Sequence, residues 1–142
     1  MRDESDAKAR KLKVAEALAP ILSAFHAVTG KPLQRVRSFF AEGSLSSLAL
    51  DFDGASLVFV ADDSDDSIDV KLAQSDPQAC SDGVDASTTP PWGGMVGQPF
   101  GWGWITVNQQ GYSDGVLLSF GSAFPQIALN VVASSIKIAT IS

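Results

Sequence analysis

The chain has 142 residues, of which 45% are hydrophobic and 18% charged. This composition excludes general disorder, because there is ample apolar material for a core, and the length fits one ordinary domain, 1–142. No apolar run approaches the ~18 residues of a membrane span, and the charged start MRDESDAKARKLK lacks the apolar stretch of a secretory signal.

One cysteine, Cys80, cannot form an internal disulfide. The expectation is a soluble cytoplasmic protein that folds without an oxidising compartment. The net charge of −6 is unevenly placed. Residues 1–42 hold eight of the ten basic residues and five acids, whereas residues 43–142 hold Lys71 and Lys137 against eleven aspartates. Such a field repels phosphate backbones, argues against nucleic acid, aids solubility and favours a basic partner.

Residues 5–29 carry helical periodicity. Val14, Ala17, Leu18, Ile21, Leu22, Phe25 and Val28 form an apolar stripe, and Lys13, Glu16 and Ser23 fall opposite. Ser5 or Asp6 suits the start and Gly30 the stop, while Pro20 should kink or divide the helix. The stripe is expected to cover this chain's own sheet. His26, the only histidine, lies at its edge, and no second His or nearby Cys stands ready to form a metal cluster.

After Gly30 the period changes to two. Residues 32–41 read as extended, and Leu48, Leu50 and Phe52 share one face of the next strand. Asp53-Gly54 is the favoured pair for a type I′ hairpin. ASLVFVA reads as a strand covered on both faces, and Ile68, Val70 and Leu72 alternate with Asp69 and Lys71. Residues 97–142 repeat this first β unit, residues 30–72. Gly97 and Pro99 match Gly30 and Pro32. Val116, Leu118 and Phe120 match Leu48, Leu50 and Phe52. Ile127 and Leu129 match Leu57 and Phe59, and Ile136 and Ile138 match Ile68 and Val70. Neither half is large enough to be stable alone, so the two should share one core. The expected fold class is α+β, an N-terminal helix packed on about eight antiparallel strands formed by two related four-strand halves.

The connecting loop, 73–96, is rich in Ser, Asp, Pro and Gly, and Trp92 is expected to pin it to the body. Three polar or aromatic features stand out. The run Asp62, Asp63, Ser64, Asp65, Asp66 could be a solvated turn, a calcium loop or a docking patch for a basic protein. It lacks the glycine and glutamate of an EF-hand, which weighs against calcium and favours the solvated turn, with docking as the third reading. In FGWGW, strand alternation would set Phe100, Trp102 and Trp104 on one face, for core packing or for stacking a ligand. The segment from Asn108 to Gly115 reads as a turn with a polar rim. There is no P-loop, dinucleotide fingerprint, Gly-x-Ser-x-Gly or HExxH, so no catalytic residue, metal ligand or cofactor is assigned.

With WGW upstream, NQQGYSDG resembles a W-x-W…N-x-QGY-x-DG pattern found near the C-terminus of a group of small uncharacterised bacterial proteins, a domain of unknown function. FDGASLVFVADDSDD resembles the hairpin and acidic turn of the same group, so the likeness covers about residues 30–142. The resemblance implies a family without an assigned activity.

The leading reading is a non-catalytic protein-binding module of the bacterial cytosol, immunity-like by analogy of size and charge. It would cover a basic toxin or effector through Asp62, Asp63, Asp65 and Asp66. The rival is a small-molecule-binding domain or enzyme whose pocket is lined by Trp102, Trp104, Gln109, Tyr112 and Asp114. A homodimer through an edge strand or the helix is a third reading.

Overall fold

The computed structural model describes residues 18–62, 66–74, 83–107 and 113–141. A helix, α1, covers residues 18–28 and buries Ile21, Ala24, Phe25 and Val28. The expected stripe is narrower on one side, because Leu22 lies one step around the helix from Ile21 and is 41% exposed. Gly30, at φ 84°, ends the helix in the left-handed conformation that suits glycine. The expected helical residues 5–17, including Val14 and Ala17, lie outside the described residues.

The first half is a meander of β1 (Arg35–Ala41), β2 (Ser44–Phe52), β3 (Ala55–Ala61) and β4 (Ile68–Gln74). The second is β6 (Phe100–Val107), β7 (Ser113–Phe120), β8 (Ile127–Val132) and β9 (Ser135–Thr140). Between them the connecting segment contributes a strand that sequence periodicity gave no sign of. This is β5 (Val84–Asp85), which pairs with β1 at Arg37 and Ser38. The sheets run β4-β3-β2-β1-β5 and β6-β7-β8-β9, antiparallel throughout.

The two halves repeat one another residue by residue. The Arg35–Asp51 pairing of β1 with β2 is answered by Trp102–Ser119, and the bulge between Phe39 and Phe40 by one between Thr106 and Val107. Ser47–Val60 is answered by Gly115–Asn130, and Ala61–Ile68 by Val131–Ile136. Where the halves meet, Pro32 and Pro99 face each other across an antiparallel bridge. The flanking hydrogen bonds come in exchanged pairs. Leu33 N–H donates to Gln98 O (3.0 Å) and Phe100 N–H to Lys31 O (2.9 Å). Gly97 N–H donates to Leu33 O (2.7 Å) and Gly30 N–H to Phe100 O (2.8 Å). Swapping the halves turns each bond into its mate, so the seam has local twofold symmetry.

The repeat begins before the strands. Phe25 stands five residues ahead of Gly30, and Trp92 five ahead of Gly97. Both are buried, at 0% and 1% exposure. The closing bonds match as well, Lys31 N–H to Val28 O and Gln98 N–H to Met95 O, both 3.0 Å. The second half thus keeps the aromatic anchor of α1 but shrinks the helix to a single 3₁₀ turn, Trp92–Gly94. Trp92 pins the connecting segment, as expected.

One buried cluster draws from both halves. Val36, Leu48, Leu50, Phe52, Leu57, Phe59, Ile68 and Val70 meet Phe100, Val116, Leu118, Phe120, Ile127, Leu129 and Ile136, with α1 and Trp92 alongside. The sheets approach most closely at β2 with β9 and at β4 with β7, two contacts that exchange under the same symmetry. Leu72 departs from expectation. It ends the inward row Val36–Leu50–Leu57–Leu72 at the sheet's margin, beyond the reach of the opposite sheet, and is 48% exposed.

Two local expectations are corrected. Asp53-Gly54 is not a type I′ turn, because only Gly54 has positive φ there. The two-residue hairpins with both central residues left-handed are Glu42-Gly43 (53° and 81°) and Ala133-Ser134 (51° and 64°). Nor do Phe100, Trp102 and Trp104 share one face. A register shift between Phe100 and Trp102 breaks the alternation. Phe100 stays in the core opposite Phe120, and Gly103 and Ile105 take the inward positions opposite Leu118 and Val116. Trp102 and Trp104 pair with Ser119 and Leu117 on the outward face.

Candidate functional site

The β1–β2, β3–β4 and β8–β9 turns lie at the end of the molecule opposite the proline seam. Ser113, at the start of β7, donates its hydroxyl to Ile68 O at the start of β4 (3.1 Å). Asp66 Oδ1 accepts the amide of Ser134 in the β8–β9 turn (2.9 Å). The β1–β2 turn meets the same β8–β9 turn across a cavity of about 340 Å³, lined by Ala41, Glu42, Ser44, Ser46, Ala133 and Ser134. Among the described residues, the four non-glycine residues with positive φ are Glu42, Asp66, Ala133 and Ser134. All four stand in these three turns. Each carries a steric cost that a glycine would avoid, and such residues persist where surrounding structure fixes them.

Two of the predicted acidic residues can be placed. Asp66 is exposed and latched to Ser134. The Asp62 amide donates to Ser67 O (2.8 Å), closing the base of the loop. Asp63 and Asp65 lie outside the described residues. Glu42 joins the acids at this pole, a neighbour that sequence reading had not connected to them.

The predicted pocket residues are only partly placed, since Gln109 and Tyr112 lie outside the described residues. Trp102 and Trp104 are half-buried on the outward face of the second sheet. The Trp102 ring meets Phe25 edge-on, with centroids 6.2 Å apart. Asp114 accepts a hydrogen bond from Thr106 Oγ1 (3.0 Å). Thr106 follows Trp104 on that face, so Trp102, Trp104 and Asp114 lie along one stretch of the β6–β7 pair.

Sequence reasoning missed the most connected polar group. On the outward face of the first sheet, Asp51 accepts from Arg35 Nε (3.0 Å), Arg37 Nε (2.8 Å), an Arg37 terminal nitrogen (2.9 Å) and Ser56 Oγ (2.6 Å). The Asp51 side chain is only 4% exposed and that of Arg37 12%. Burial opposes the charged carboxylate, but the hydrogen bonds of Arg37, Ser56 and Arg35 and the Arg37 charge outweigh it, so the Asp51 pKa falls below the ordinary 3.8. Its acceptor capacity is saturated, which suits a joint between β1, β2 and β3 rather than a reagent. The alternation Arg35-Val36-Arg37 was the available signal, because it puts two cations on one face of a strand.

Nearby, the Asp85 carboxyl is also held below its usual range, chiefly by the hydroxyl and then the amide of Ser87. The outward positions that correspond to Arg35, Arg37 and Asp51 in the second half are Trp102, Trp104 and Ser119. The same scaffold therefore presents ions on one face and indoles on the other.

Among the described residues, no group of three or more His, Cys, Asp or Glu side chains is arranged to hold a metal ion. Nor is any helix among them long and apolar enough to cross a membrane. A family model described as "Family of unknown function (DUF6334)" matches residues 19–142, and the chain belongs to that family. No curated protein and no solved structure matches it.

Proposed function

We propose that this member of a family of unassigned function is a non-catalytic binding module that engages a basic protein through its acidic turn pole. The observation that carries this reading is the convergence there of four left-handed non-glycine residues, with Asp66 tied across to Ser134. Three turns held at a steric cost, two of them latched together, form a preorganised surface, which lowers the ordering cost of binding. Its charge suits a cationic partner. Glu42, Asp62 and Asp66 stand there, the sequence adds Asp63 and Asp65, and the chain carries a net charge of −6.

Electrostatic steering by such a pole speeds encounter more than it strengthens the final complex. The saturation of Asp51 supports the non-catalytic half of the reading, because the buried carboxylate is committed to two arginines and a serine. A small bacterial immunity-type protein covering a basic effector is the fullest form of this proposal.

The test is affinity capture from the source cells at low and moderate salt. It compares the wild-type chain with a variant carrying Asn at Asp62, Asp63, Asp65 and Asp66. A basic protein held by the wild type, released by salt and not held by the variant supports the reading. Equal capture by both chains, or none by the wild type at either salt, refutes it.

A further inference from the structure

The sheet edges are guarded unequally. β1 is capped by β5, and the pairing of β6 with β7 carries two register shifts. β9 presents Lys137, whose outward neighbour Ala139 carries no charge. β4 is regular against β3 over all seven residues, with no bulge and no proline. Charge, bulges and prolines are the usual means by which an edge refuses a further strand. Here the single cation, Lys71, lies 3.7 Å from Asp69 on its own strand.

The direction of the free groups follows from two hydrogen bonds. The Asp62 amide donates to Ser67 O across the β3–β4 pair, so the next residue, Ile68, turns its own groups away from β3, and Ile68 O accepts from Ser113. Antiparallel alternation then aims the amides and carbonyls of Val70, Leu72 and Gln74 away from β3 as well. Among the described residues, no hydrogen bond from another element reaches these three. Beside them runs a groove of about 550 Å³ between β4 and α1, lined by Pro20, Ser23 and Ala24 on the helix side and by residues from Asp69 to Leu72 on the other.

We propose that a second copy of the chain occupies this edge, β4 pairing antiparallel with its counterpart about a twofold axis at Val70. Charge complementarity selects the register. An axis at Val70 sets Asp69 opposite the partner's Lys71 and Lys71 opposite the partner's Asp69. An axis at Lys71 opposes two lysines, and one at Leu72 leaves both charges unmatched. Opposite charges directly across a strand pair stabilise it, and like charges destabilise it. The Val70 axis also makes Val70 the central hydrogen-bonded pair and brings the exposed Leu72 beside the partner's Ile68, where the Leu72 amide takes the place of the Ser113 hydroxyl on Ile68 O. The two first sheets then join into one continuous sheet, with the self-complementary contact expected of a twofold dimer.

Sedimentation equilibrium from about 1 to 200 µM tests the proposal on wild type, Asp69→Lys, Lys71→Asp and an equimolar mixture of the two variants. Both side chains are exposed, at 54% and 68%, so neither change should burden the fold, and circular dichroism of each variant is the check on this. The wild type should dimerise in this range. Each variant alone should dimerise about tenfold or more weakly, because each homodimer now opposes like charges. The mixture should recover wild-type association as a heterodimer, in which both cross-strand pairs are again opposite. A monomeric wild type throughout, variants that associate as the wild type does, or a mixture no better than its components would each overturn the proposal.

Discussion

Replacing Gly103 by alanine tests how α1 is seated. A Cβ at that position would stand 2.5, 2.6 and 2.7 Å from three ring carbons of Phe25, where ordinary contact is 3.4–4 Å. The ring would have to retreat by about 1 Å. It has little room to do so, because Phe25 is fully buried and packs on Phe100 (centroids 5.9 Å apart) and edge-on to Trp102. Overpacking of this kind costs about 1–3 kcal/mol, against about 0.5–1 kcal/mol gained by removing a glycine from a strand. The net expectation for Gly103→Ala is a loss of about 1–2 kcal/mol.

In urea, with an m-value near 2 kcal/mol/M, that loss lowers the unfolding midpoint by about 0.5–1 M. Phe25→Leu alone also destabilises, by shrinking a buried ring. The double variant should lose less than the sum of the two, because the smaller side chain vacates the space that the new methyl needs. A Gly103→Ala variant as stable as the wild type, or strict additivity in the double, would refute the seating of Phe25 on Gly103.

Four further outcomes are expected. Asp51→Ala leaves Arg37 buried without its partner and should cost about 3–5 kcal/mol in chemical denaturation. Because the folded pKa of Asp51 is depressed, its contribution is present in full above the unfolded value of about 3.9 and fades as pH falls through the lower folded value. Acid titration of stability should therefore show a shallower loss below about pH 4 in Asp51→Asn than in the wild type. In the β8–β9 hairpin, Ala133→Asn with Ser134→Gly supplies the residues that a type I′ turn prefers and should raise stability by about 1–2 kcal/mol, read as a higher thermal midpoint. Trp92→Ala should cost about 3–5 kcal/mol, a loss that a merely tethering loop residue would not show.

The strands, their order within each half and the correspondence between halves were legible from the sequence, because hydrophobic alternation and turn residues report local geometry directly. Gly30-Lys31-Pro32 and Gly97-Gln98-Pro99 even marked the seam, although nothing in either tripeptide says that it pairs with the other. What escaped depends on non-local contacts. The two residues of β5 are too few for any period to appear, and they gain their strand character only by lying against Arg37 and Ser38. The fate of the FGWGW aromatics turned on a single bulge, which alternation cannot anticipate.

Trp92 was legible as an anchor but not as the counterpart of Phe25, because its helix had contracted to one turn and left little pattern to align. At the candidate site, the acidic run was plain in the sequence. Its union with Glu42 and Ser134 came only from the way the two meanders bring their turns to one end.

The meeting of the two halves at Pro32 and Pro99 has a consequence for how the protein tolerates change. Prolines carry no amide hydrogen, so the zip is closed entirely by main-chain donors at Gly30, Leu33, Gly97 and Phe100. Side-chain replacements at the intervening Lys31 and Gln98 leave every one of those links standing. The join is thus indifferent to the identity of its surface residues, and a further imino acid at one of the four donor positions is the direct way to unfasten it.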